Sequence, residues 1–300
     1  MAGRRAGLRS RSEIVLRNTV AFSLAAFFLL FFFVPIGMAL MGSFHQWNPL
    51  KMQYRFTGLK NWNTMFASEL FWRSMANTFG FSFFAVLLRV LLGLALSSAL
   101  YSRLIRRKSF FRMLYYLPTI TPMVAVAFVW KFMYDPQMGL INQALGTRIN
   151  WLFSAQYAFP AILLLTVWKD YGYAVVILLG AMYALPKDCY EAAQIDGANA
   201  WQAFMRLTLP LLKPTILFVF ITSVIAYLQT YIPVMVLTQG GPGTRTYLAS
   251  YIIYDQAFVK YNFGYASAIS FVLFLFIALL TGLSFRLSGT MARGGEADRP

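Results

Sequence analysis

Residues 185–214 read Leu-Pro-Lys-Asp-Cys-Tyr-Glu-Ala-Ala-Gln-Ile-Asp-Gly-Ala-Asn-Ala-Trp-Gln-Ala-Phe-Met-Arg-Leu-Thr-Leu-Pro-Leu-Leu-Lys-Pro, the one long polar-patterned stretch in a chain otherwise made of apolar runs. The pattern predicts two short helices and a turn. Asp188 is placed to N-cap the first helix, with Glu191 three residues on closing a capping box. Gly197 is placed to end it in the left-handed conformation, which disfavours residues with a Cβ. Asn199 and Gln202 have the spacing of a second capping box. Trp201, Phe204, Met205 and Thr208 then share one face at helical spacing. Pro210 and Pro214 close the pattern before the next apolar run. This predicts a compact helical knob between two membrane spans.

Three roles compete for the knob. It is a capped surface loop, a docking element for a soluble protein, or a DNA-binding helix-turn-helix. The last is disfavoured: Lys187, Asp188, Glu191, Asp196 and Arg206 sum to −1, whereas phosphate binding needs clustered Lys and Arg. Exposed Trp, Tyr and Met are characteristic of protein interfaces.

Working outward, 59% of the 300 residues are hydrophobic and 12% charged. Soluble domains carry about 25% charged residues, so the chain reads as an integral membrane protein. Apolar runs at about 20–41, 74–101, 113–133, 158–182, 214–238 and 263–285 are each near or above the roughly 20 residues that cross a bilayer. Unpaired backbone groups are costly in lipid and no ten-residue alternating strands occur, so the expected fold is all-α: a polytopic bundle of six transmembrane helices with a cytoplasmic loop at 183–212. Residues 1–17 form a basic flank, 18–286 the membrane domain, and 287–300 a tail. Gly294-Gly295 and mixed charges in the tail suggest that it does not order. The first run has a rival reading as a signal peptide, with Gly37-Met38-Ala39 loosely cleavage-like, but it exceeds the 7–15 residues of a signal core. Residues 43–73, with Trp47, Trp62 and Trp72, suit an interfacial segment.

Lys and Arg distribution sets the expected orientation. With the N-terminus inside, the cytoplasmic flanks hold sixteen of the 26 cations and the external flanks eight, with Arg89 and Lys169 inside spans. Both termini and the knob are then cytoplasmic, and the +16 charge reflects membrane topology, with no nucleic acid implied. The single Cys189 excludes an internal disulfide, and the single His45 makes a His-based metal or triad site improbable. There is no phosphate-cradling Gly-x-x-x-x-Gly-Lys-Ser/Thr, His-Glu-x-x-His or Gly-x-Ser-x-Gly.

Arg89, Lys169 and Asp170 lie in apolar surroundings, where charge is expensive and faces the bundle interior or a wet cavity. Successive helical residues point about 100° apart, so Lys169 and Asp170 need not pair with each other. An interspan pair such as Arg89–Asp170 competes with a role in a polar solute path. Trp168, Tyr171, Tyr173, Tyr227, Gln229, Thr230 and Tyr231 add stacking faces and hydrogen-bonding groups suited to a hydroxyl-rich solute.

The knob also carries a more specific pattern. Glu191-Ala192-Ala193, Gly197 six residues after the Glu, and Leu209-Pro210 resemble the EAA signature of bacterial ABC importer permeases, with Leu207 where that family usually has Ile. Leu237-Thr238-Gln239-Gly240-Gly241-Pro242-Gly243-Thr244 resembles the LT-x-GGP segment of its carbohydrate-uptake branch, the maltose and glycerol-3-phosphate permease group. Asn77-Thr78 also fits. The resemblance covers residues 20–286 and implies a permease subunit in the bacterial inner membrane, without an ATPase site of its own. It implies a second permease subunit, two ATPase subunits holding ATP and Mg, an extracytoplasmic solute-binding protein, and surrounding lipid. Asp188, Glu191, Ala192, Ala193, Asp196 and Gly197 would form the ATPase-coupling helix. Gly240, Gly241 and Pro242 would form an external loop motif. The solute positions would be Thr166, Trp168, Lys169, Asp170, Tyr173, Ser223, Tyr227 and Thr230. A membrane enzyme, an ATP-independent carrier and an importer for a non-sugar solute are the alternatives.

Overall fold

A computed structural model describes residues 11–102 and 105–297. Of the basic flanks, Arg4, Arg5, Arg9, Arg103 and Arg299 lie outside the described residues. The chain opens with α1 (Arg11–Phe28), a π-helical turn at Leu29–Phe33 and α2 (Val34–Ser43). The Val34 N–H donates to the Leu29 carbonyl, five residues back. Pro35, which has no N–H to donate, follows at the start of α2, so the widened turn absorbs the break in the ladder. Side chains 15–35 are exposed all round this span.

Residues 43–73 fold rather than merely lying at an interface. Strands β1 (His45–Asn48) and β2 (Gln53–Phe56) pair antiparallel, with His45 opposite Phe56, and α3 (Lys60–Phe66) follows. Asn61 Nδ2 donates to the carbonyls of Ser43 and His45, each at 2.9 Å, tying helix to hairpin. The sequence has no long alternating run here because two four-residue strands on a tight turn suffice.

The long helix α4 (Glu69–Tyr101) starts at Ser68, whose hydroxyl accepts from the Phe71 N–H. Then come α5 (Lys108–Ile120), α6 (Met123–Met133) and a short α7 (Leu140–Leu145). The expected span at 113–133 is not one straight helix. Its halves meet at 98° at Thr121-Pro122, because Pro122 and the restricted residue before it cannot continue the helix. The loop after α6 is organised by buried Asn142. Its amide donates to the Ile149 carbonyl, and its carbonyl accepts from the Trp151 indole at 2.9 Å.

Helix α8 (Ala158–Tyr183) forms the middle of the bundle, packed on α4 and α5. Both crossings are made by glycine. A Cβ on Gly172 would stand 2.0 Å from the Tyr115 carbonyl oxygen, and one on Gly93 would stand 2.8 Å from the Ala174 Cβ. Small residues let helix backbones approach this closely in a membrane. Beyond α8 lie α9 (Lys187–Ile195), α10 (Ala200–Ala203), a π-helical turn at Phe204–Thr208, α11 (Leu209–Leu211) and α12 (Lys213–Leu228). Ala200–Leu211 and Lys213–Leu228 are bent by 65° at Leu212. The expected 214–238 span is also interrupted at residues 229–231, after which α13 (Ile232–Leu237) resumes. The chain closes with α14 (Ala249–Tyr254), a π-helical turn at Asp255–Val259 and α15 (Phe263–Ala297). Contrary to expectation, α15 continues past Arg286 through Gly294-Gly295. Helix propagation is cooperative, and glycine weakens a helix without ending it as proline does.

Among the described residues, four helices are long and apolar enough to cross a membrane: Val15–Ser43, Glu69–Tyr101, Ala158–Tyr183 and Phe263–Ser284. Counting each bent pair as one span gives six. A core of Phe81, Ile162, Leu165, Tyr134, Tyr227 and Val234 joins α4, α8, α12 and α13.

The two glycine environments on α8 give a direct test. Gly172→Ala drives a methyl into the α5 backbone and should destabilise the fold by about 1–3 kcal/mol. Gly180→Ala, where a Cβ meets nothing within 4 Å, should leave the thermal midpoint of the purified protein unchanged or slightly raised, because alanine favours the helix. Equal midpoints for the two variants would contradict the packing described.

Candidate coupling loop and transport path

At the knob, α9 starts two positions before the sequence predicts. Pro186, with φ −61° and ψ 125°, is its N-cap, and no side chain caps it. Proline presets the entry angle, so the helix begins at Lys187 and Asp188 falls inside the first turn. The expected Asp188–Glu191 capping box therefore does not form. Asp188 instead sets its carboxylate by the positive end of the helix dipole. The exit agrees with the sequence reading. Gly197 has φ +77°, and the Gly197 and Ala198 N–H groups donate back to the carbonyls of Gln194 and Ala193.

The second helix carries a complete capping box. Gln202 N–H donates to Asn199 Oδ1 at 2.9 Å, and Asn199 N–H donates to Gln202 Oε1 at 3.0 Å. The expected shared face does not survive the π-helical turn. Trp201 and Phe204 stack at 6.0 Å, but the turn rotates the residues after Phe204, leaving Met205 exposed and Thr208 buried. Thr208 gains a partner there: its hydroxyl lies 2.9 Å from that of Tyr190, joining α9 to the start of the next span.

The outward surface of the knob is mixed. Asp188, Glu191, Ala192, Asp196 and Gly197 are exposed, and Ala193 is half-buried. Beside them stand Ile195, 87% exposed, and Trp201, 66% exposed. Acids flanking two uncovered apolar side chains suit a groove with an apolar floor and a basic rim.

The Gly240-Gly241-Pro242 loop lies at the opposite end of α8. Gly240 has φ +88°, and a Cβ there would stand 2.3 Å from the Tyr247 ring; the peptide between Gly241 and Pro242 is cis. Thr246 Oγ1 donates to the Gly241 carbonyl at 2.6 Å and lies 2.8 Å from Thr238 Oγ1. Asn77 Nδ2 donates to the Thr244 and Tyr247 carbonyls, each at 3.0 Å, and Thr78 Oγ1 accepts from the Ala249 N–H at 2.8 Å. This explains why Asn77-Thr78 accompanies the glycine motif: the pair fastens that loop to α4.

The eight expected solute positions fall into separate groups. Thr166 and Ser223 are buried, and their hydroxyls donate to the Ile162 and Val219 carbonyls of their own helices. Trp168 is exposed and leans on Trp130, ring centres 5.2 Å apart. Lys169 Nζ pairs with Asp170 Oδ1 at 3.2 Å and donates to the Thr119 carbonyl. The interspan pair Arg89–Asp170 is thus not made. The flexible Lys169 stem reaches its sequence neighbour despite the 100° between them. Tyr173 and Tyr227 instead cradle Arg89, whose guanidinium carbon is 4.9 Å and 5.6 Å from the two ring centres.

Thr230 stands at the break after α12. The break opens a cavity of about 450 Å³, lined among others by Gln229, Tyr231, Ser250, Tyr254 and Ser270. The Tyr231 and Tyr254 rings stack at 5.5 Å. Gln229 and Tyr231 are legible as polar groups in an apolar run. Tyr254 and Ser250 come from a segment whose approach to the break only the chain's turn at the glycine loop creates.

Residues 92–292 match the family described as binding-protein-dependent transport system inner membrane component. The chain is 30% identical to the diacetylchitobiose uptake system permease protein NgcF of Streptomyces coelicolor, over 97% of this chain and 89% of the relative. It is 34% identical to the trehalose/maltose transport system permease protein MalF of Thermococcus litoralis, over 84% and 86% of the two chains. Its fold is similar to that of a chain in a bacterial alginate ABC transporter crystallised with an alginate pentasaccharide-bound periplasmic protein, with a TM-score of 0.80 over 92% of this chain and 94% of that one, at 22% identity. With its apolar helices, its helical knob and its welded glycine loop, this chain belongs to the family of inner membrane components of binding-protein-dependent transport systems.

Proposed function

We propose that this chain is one permease subunit of an ATP-driven importer for a sugar or sugar derivative. The observation that carries this is similarity over most of its length to permease components of sugar uptake systems. On this reading, a second permease subunit completes the path, and an extracytoplasmic binding protein delivers solute at the glycine-loop end. Two ATPase subunits, holding ATP and Mg, dock on the knob from the cytoplasm. Both termini are cytoplasmic. The chain itself hydrolyses nothing.

The knob acts as a lever. Closure of the ATPase pair pushes on the exposed Asp188–Glu191–Asp196 surface, with Ile195 and Trp201 seated in the partner's groove. A lever transmits force only if it does not bend, and three features stiffen this one: the Gly197 exit, the Asn199–Gln202 box and the Tyr190–Thr208 link. The α9 helix comes directly after α8, and the second half of the knob runs into α12. Displacing the knob therefore moves the two helices that carry Lys169, Asp170, Tyr173 and Tyr227. This is a rigid-body switch of the packed kind.

Loss of a charge-assisted contact at Glu191 is worth about 1.5–3 kcal/mol, or roughly tenfold or more in an equilibrium. Glu191→Ala should therefore reduce ATP-driven uptake by that order while the protein still reaches the membrane. Gly197→Asp forces a side chain into the left-handed region and should impair uptake similarly by tilting the second helix. Uptake at the wild-type rate in both variants would remove the lever from the mechanism.

Orientation has its own probe. Cys189 is exposed on the knob. A membrane-impermeant thiol reagent should label it in permeabilised cells and not in intact ones. Labelling in intact cells would invert the topology.

A further inference from the structure

Arg89 is buried in the middle of α4, with 6% of its surface exposed. Its guanidinium is always charged. The ion pairs among the described residues are Glu69–Arg73, Lys169–Asp170 and Asp255–Lys260, and none includes Arg89. Lys169 and Asp170 neutralise one another, so α4 and α8 together hold one unmatched positive charge inside the membrane-spanning bundle. The Tyr173 and Tyr227 rings offer their negative faces to the guanidinium, which is partial compensation only.

A second observation is independent of charge. Arg89 Nε, Tyr227 Oη and Ser82 Oγ are buried without a hydrogen-bond partner. Ser82 and Arg89 are seven residues apart, two turns of α4 on one face, and Tyr227 comes from α12, which packs on α4. Buried polar groups are ordinarily paired, and each exception asks for an explanation. An unpartnered Nε on a buried cation, with the Ser82 hydroxyl on the same helix face and the Tyr227 phenol from α12, constitutes an acceptor-seeking site.

We infer that Arg89, with Tyr173, Tyr227 and Ser82, recognises an anionic group on the transported solute. The solute class is then a sugar carrying a carboxylate or a phosphate monoester. The inference rests on the importer reading and narrows it. An anion arriving along the path supplies the missing counter-charge and accepts from Arg89 in the charge-assisted geometry that guanidinium favours. The two tyrosines belong to the helices joined by the knob, so lever movement opens and closes this station.

The test uses the full complex, this chain co-purified with its partner permease and ATPase subunits in nanodiscs. Three radiolabelled probes are compared in equilibrium binding, with and without a non-hydrolysable ATP analogue: a neutral glucosyl trisaccharide, a uronate trisaccharide and a hexose phosphate. One or both anionic probes should bind about tenfold or more tighter than the neutral one, and their ratio tells carboxylate from phosphate. Arg89→Gln should erase the preference and Arg89→Lys should keep part of it. A wild-type complex that binds the neutral probe as well as the anionic ones overturns the inference, whether or not Arg89→Gln assembles. So does an Arg89→Gln complex that keeps its preference. If that complex, reconstituted in sealed proteoliposomes with its solute-binding protein, still accumulates a neutral sugar with ATP, the importer reading stands without this inference. If the chain co-purifies with no ATPase, the importer reading itself falls.

Discussion

The bundle depends on how closely α8 is held. Gly172 sets its backbone against the carbonyl of Tyr115, and Gly93 admits Ala174 from the other side. Between lipid and protein there is little hydrophobic gain to drive helices together, so close van der Waals approach does that work. A helix packed without slack on two neighbours moves as a body. The knob grows out of the end of α8, so on the proposed reading its motion reaches the bundle only because the helix behind it does not slide.

Both ends of the bundle apply the same logic with different chemistry. At the knob, caps and a left-handed glycine satisfy backbone groups that water would otherwise hydrate. At the glycine loop, the side chains of Asn77, Thr78 and Thr246 take over the backbone groups of an irregular segment. Irregular backbone near a bilayer needs such partners. Breaks inside the bundle occur where proline or polar residues interrupt an apolar run, as at Thr121-Pro122 and at Gln229-Thr230. Each break frees backbone and side-chain polarity, and the second one opens the tyrosine-lined cavity.

Much of the fold is legible in the residue order. Apolar runs set the number of spans, and Gly197 and the Asn199–Gln202 spacing mark the turns of the knob. The readings that fail share one cause, which is that ideal spacing carries no record of local breaks. Asp188 loses its capping role because Pro186 starts the helix first. The face expected at Trp201, Phe204, Met205 and Thr208 is split by a π-helical turn that ideal spacing does not contain. The 113–133 run folds as two helices meeting at 98° because a run's length says nothing about its direction.

What the sequence determined by itself is the class of molecule: composition, run length and the cost of unpaired backbone in lipid leave a helical membrane bundle with a capped polar loop. The tertiary structure alone decided which charge meets which partner. It paired Asp170 with Lys169, left Arg89 between two rings, and pinned the glycine loop to Asn77 and Thr78. Pairing depends on helix rotation, crossing distance and side-chain reach, and none of these is carried by the order of residues along one helix.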